Sequence, residues 1–158
     1  MHHCALPELS ISASDHRRLE TIALVAAAQG DIDGLFLLAE ISRAETVPDD
    51  AGALASIVTM GSWATFWVDW GLPYETRQLV YPRDYRCDKT QVSVMSPLGA
   101  ALIGLKSGSQ MPFSVGRRPH VVRLDSVSLT QPNVVPLFRA PLTAQRETFD
   151  DDPGPSAA

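Results

Sequence analysis

Apolar residues recur at two different periods along this chain, and the change of period divides it. At Ser12, the run Ser-Ala-Ser-Asp reads as a helix-capping box, with Asp15 three residues beyond the serine. Behind it Leu19, Ile22, Ala23 and Ala26 return at helical spacing, which predicts a helix ending near Gln29-Gly30. Asp31 then caps a second predicted helix whose apolar stripe is Ile32, Leu35, Phe36, Leu38, Ala39 and Ile41. That helix runs to about Ala44, and Pro48 blocks its continuation. So short a turn predicts an antiparallel helical hairpin over 12–47, preceded by a lead-in at 1–11. Each helix is about 20–24 Å long at 1.5 Å per residue.

From Ser56 the period becomes two. Residues 56–60, 62–70, 76–81, 91–96, 111–115 and 121–127 read as strands rich in Val, Thr and aromatics. One helix interrupts them: Ser96-Pro97 is an N-cap with proline at the first helical position, followed by Leu98, Ala101, Leu102 and Leu105. Lys106-Ser107-Gly108 ends it in a turn. The fold class is therefore α+β, a hairpin followed by a strand-dominated domain over 52–129. After about Thr130, prolines and a triple aspartate predict a disordered acidic tail over 130–158.

Composition narrows the class. The 158 residues are 45% hydrophobic and 20% charged, enough to bury a core and too mixed for a disordered chain. No apolar run reaches the roughly 18 residues of a membrane span, and no secretory leader opens the chain. Two cysteines, Cys4 and Cys87, fit a reducing compartment, so the expected location is cytoplasmic. The net charge of −5 is unevenly spread. Residues 1–60 hold three Lys/Arg against nine Asp/Glu, 61–149 hold ten against six, and 150–152 add three aspartates. An acidic hairpin and tail around a mildly basic middle do not suit a sequence-specific nucleic-acid binder.

Candidate chemistry is sparse. His2, His3 and Cys4 could meet a soft metal, but the four ligands of a structural site are missing, and no metal or cofactor is expected. There is no nucleophile elbow and no phosphate loop, and Cys87 has no identifiable base, so an enzyme is not expected. Asp31 and Asp33 at the hairpin tip could lend oxygens to a Mg²⁺ held mainly by something else, or Asp31 could simply be a cap. By alternation Trp63 and Trp67 share one strand face, and Ala64, Phe66, Val68 and Trp70 share the core face. Trp63 and Trp67 are thus a candidate interface, unless the hairpin or tail covers them.

Residues 93–108, reading Ser-Val-Met-Ser-Pro-Leu-Gly-Ala-Ala-Leu-Ile-Gly-Leu-Lys-Ser-Gly, resemble the C-terminal domain of Gre-type transcription elongation factors. The similarity to the Rnk branch (regulators of nucleoside diphosphate kinase) is closer. It rests on Asp15-His16-Arg17-Arg18-Leu19, Ile41-Ser42-Arg43-Ala44, Val58-Thr59-Met60-Gly61-Ser62 and Leu79-Val80-Tyr81-Pro82. The resemblance implies a helical hairpin joined to an FKBP-like curled antiparallel sheet around one short helix. It also implies a monomer that binds RNA polymerase at the rim of its secondary channel through Ser96, Pro97 and Leu98, with no membrane association. Cleavage-stimulating Gre factors carry a longer hairpin with tip acids spaced Asp-x-x-Glu, whereas this chain has Asp31-x-Asp33. The expectation is polymerase binding without strong transcript-cleavage stimulation. Two other readings remain at this point: a peptidyl-prolyl isomerase, from the FKBP-like fold, and a protein-interaction module independent of polymerase.

Overall fold

The computed structural model describes residues 5–69 and 74–132. The readings that fall on His2, His3, Cys4, Trp70 and the tail beyond residue 132 lie outside the described residues.

Ser12 caps α1 (Ala13–Ala28), its Oγ accepting from the Asp15 amide at 3.3 Å. The turn passes through Gly30 at φ +79°. Asp31 caps α2 (Ile32–Arg43) by accepting from the Asp33 amide at 3.0 Å. The two helices meet closely at Gly34, where a Cβ would lie 2.5 Å from that of Ala26.

The buried stripe of α2 differs from the one the pattern predicts. Leu37 and Ile41 are fully buried with Leu19 and Ala23 of α1, while Ile32 is 78% and Leu35 51% exposed. Because α2 is apolar nearly all round, periodicity alone does not choose a face; the small Gly34 does, by letting that side approach α1.

The lead-in also does more than connect. Leu9 and Ile11 are buried in the core, and β1 (Ser10–Ser12) pairs in parallel with β2 (Glu45–Val47). This small ladder ties together the two ends of the hairpin.

The main sheet has the order β5-β4-β3-β7-β6, formed by β3 (Trp63–Val68), β4 (Glu75–Val80), β5 (Gln91–Ser93), β6 (Gln110–Val115) and β7 (Arg118–Ser128). All neighbours are antiparallel except the β4–β5 pair, which is parallel.

Residues 56–60 do not form the expected strand. A 3₁₀ turn occupies Gly52–Ser56, and Ile57 makes a single bridge to Lys106. Two further bonds, Val58 N–H to Leu105 O and Gly104 N–H to Val58 O, are all the pairing this segment's short reach supplies. The strand predicted over 91–96 stops at Ser93, because Ser96 is already the cap of α3 (Pro97–Leu102). Leu105 lies beyond α3, which gives way before Gly104 at φ +75°.

Hairpin and sheet share one core. Leu19, Leu37 and Ile41 join Phe66, Leu79, Leu102, Leu105 and Leu124 in a single buried cluster. Burial of each large side chain contributes about 1.5–3 kcal/mol.

Polar bonds fix the hairpin further. Asp15, expected only as part of the capping box, accepts from the Met60 amide at 3.3 Å and from the Tyr81 hydroxyl at 3.4 Å. Arg43 donates to Glu40 at 2.7 Å and to Pro7 O at 2.6 Å, and reaches Met111 Sδ at 3.5 Å.

Candidate interaction site

Ser96, Pro97 and Leu98 form the turn into α3 and are all half-buried. The turn is rigid for a local reason. Ser96 Oγ accepts from the Gly99 amide at 3.1 Å and donates to Ser93 O at 2.6 Å, so one hydroxyl fastens both strand end and helix start. Gly99 sits so close beneath β5 that an added Cβ would lie 1.9 Å from Ser93 O. Leu98 packs partly against the core, leaving the rest of the turn as a preshaped contact surface.

The tip acids are differently engaged. Asp31 is exposed and acts as the cap of α2. Asp33 is half-buried, and its carboxyl pKa is raised, first by burial and then by the neighbouring Asp31. A carboxylate that holds its proton more readily is a weaker cation ligand. Among the described residues, no three His, Cys, Asp or Glu side chains converge as a metal site.

Trp63 and Trp67 share one face of β3 and are both half-buried. The Trp67 ring meets Tyr74 edge-on at 4.8 Å between centroids and lies under the Arg123 guanidinium at 5.1 Å. On the opposite face Ala64 and Phe66 are fully buried, as alternation predicts.

Asp33 shares a groove with Phe113, His120 and Asp69, and neither Ser96–Leu98 nor the two tryptophans line it among the described residues. The sequence reading missed the Asp69–His120 pair, whose members are 51 residues apart and meet at 2.5 Å. Asp69 ends β3 at φ +55° and accepts from the Val121 amide at 2.9 Å. The His120 hydrogen bond, then the Val121 amide, lower its carboxyl pKa. Cys87 is exposed, and its thiol pKa is lowered chiefly by the Lys89 amide.

A helical hairpin seated on a curled sheet, with a Ser-Pro turn opening a short packed helix, defines a Gre-type factor with a short hairpin. Residues 54–128 match the family model of the GreA/GreB transcription elongation factor C-terminal domain. The regulator of nucleoside diphosphate kinase of Escherichia coli K12 is 32% identical over 128 residues, covering 75% of this chain and 90% of that protein. The Shigella flexneri protein of the same name gives the same figures. A solved structure described as a prokaryotic transcription elongation factor GreA/GreB from Nitrosomonas europaea superposes with TM-score 0.61 at 30% identity, covering 77% of this chain and 99% of that one. The chain belongs to the Gre-type factor family, in the branch of the regulators of nucleoside diphosphate kinase.

Proposed function

We propose that this chain is a non-catalytic regulator of transcription that binds RNA polymerase at the rim of the secondary channel and inserts its short acidic hairpin. The observation that carries this reading is the hairpin itself. The 16 residues of α1 and 12 of α2 are about 24 and 18 Å long, and the α2 side is held to the rest of the fold by the Arg43 bonds. Such a hairpin can plug a channel mouth but brings no long-reaching acidic tip to a distant catalytic metal. At that tip Asp31 is committed to capping, and Asp33 is disposed to keep its proton.

Docking falls to the half-buried Ser96-Pro97-Leu98 turn, whose fixed shape loses little conformational freedom on binding. The Trp63/Trp67 face is a second contact surface in the same role, since its rings present large rigid area. The acidic front half draws the hairpin toward a cation-lined opening, and regulation follows from occupancy and competition rather than chemistry.

Transcript cleavage on backtracked polymerase complexes tests the reading. Cleavage should stay near the factor-free rate, and Asp31→Ala with Asp33→Ala should leave it unchanged. Strong cleavage that those substitutions abolish contradicts the proposal.

A further inference from the structure

Between the tip of α2 and the β6–β7 turn lies an open groove of about 690 Å³. That volume falls within the roughly 300–1,000 Å³ typical of binding pockets. Its walls are apolar: Ile32 and Phe36 on the hairpin face Pro112, Phe113 and Pro119 on the sheet. Asp33 lines it too, with Asp31 two residues away, whereas the groove's other carboxylate, Asp69, is already paired with His120. The groove therefore suits an extended apolar segment bearing one cation close to its apolar side chains.

The chain itself carries such a segment within reach. Leu129, just past the end of β7, lines a hollow with Ser12 and Ser14 at the base of α1. The groove is at the other end of the hairpin, about 24 Å away along the 16 residues of α1. Residues 130–138 can span up to about 30 Å when extended. Residues 134–142 read Val-Val-Pro-Leu-Phe-Arg-Ala-Pro-Leu, an apolar stretch with prolines that favour extension and one cation, Arg139.

We propose that residues 134–142 of this chain dock in this groove, with Leu137 and Phe138 against Ile32, Phe36 and Phe113, and Arg139 beside Asp31 and Asp33. Docked there, the segment covers the hairpin tip, so any partner that takes the tip must displace it. The proposal does not depend on which partner that is.

The test uses the full chain alone, with a photoreactive benzoylphenylalanine replacing the exposed Ile32, followed by irradiation and peptide mapping. Crosslinks should join position 32 to residues 134–142 within one chain, at a yield independent of protein concentration. Leu137→Asp with Phe138→Asp should abolish them. Crosslinks between two chains, crosslinks to other segments only, or no crosslink above the level of the Asp variant overturn the proposal. The outcome is read without polymerase, so its failure and that of the proposed function are separable.

Discussion

At the scale of single residues, the Ser-Pro turn is held by a hydroxyl and by the absence of a side chain. Gly99→Ala should force β5 and α3 apart, because the obstructing atom is the Ser93 carbonyl and not a movable side chain. Overpacking of this kind typically costs about 1–3 kcal/mol, and urea unfolding of the variant measures it. Asp69 predicts a pH effect with a definite sign. Its pKa is lowered in the folded state, so its contribution is complete above the unfolded carboxylate range and is lost as pH falls through the depressed folded value. The stability difference between the native chain and Asp69→Asn should therefore be constant near neutrality and shrink below about pH 4. Denaturation midpoints across pH 2–7 check this. A difference that persists unchanged at the acid end contradicts the assignment. None of this pairing was legible in the sequence: Asp69 and His120 lie on different strands, and only β3–β7 registration brings them together.

At the scale of elements, both hairpin helices, their serine and aspartate caps, and the Ser-Pro helix were readable because capping chemistry is local. The strands β3, β4, β6 and β7 were readable because they are long enough to alternate. What escaped was decided by tertiary partners. The three-residue β1 and β2 have no pattern of their own and exist because they pair with each other. The buried face of α2 was set by the Gly34 approach rather than by its abundant apolar residues. Glu40, polar and therefore assigned outward, is 5% exposed and ion-paired to Arg43 at 2.6 Å. That pair joins α2 to the lead-in and to β6, so its loss should exceed a surface substitution. Arg43→Ala leaves a buried carboxylate without its partner, a change that typically costs about 3–5 kcal/mol. A double-mutant cycle with Glu40→Ala should give a smaller total loss than the two single losses added together. Strict additivity contradicts the coupling.

At the scale of the whole molecule, the candidate site was legible in part. The sequence located the Ser96-Pro97-Leu98 turn and the tip acids, but not the groove beside Asp33, which α2 and the β6–β7 turn create together. The charge asymmetry acquires a shape: an acidic hairpin standing on a more basic sheet domain, the two joined through one core. A plug of this kind acts by taking up space that a longer-hairpin relative would otherwise fill. Equilibrium competition on RNA polymerase, with the full chain fluorescently labelled and an unlabelled cleavage-stimulating Gre factor as titrant, tests that claim most directly. The account predicts saturable binding that the Gre factor displaces completely. Absence of binding, or binding undiminished by saturating competitor, contradicts it.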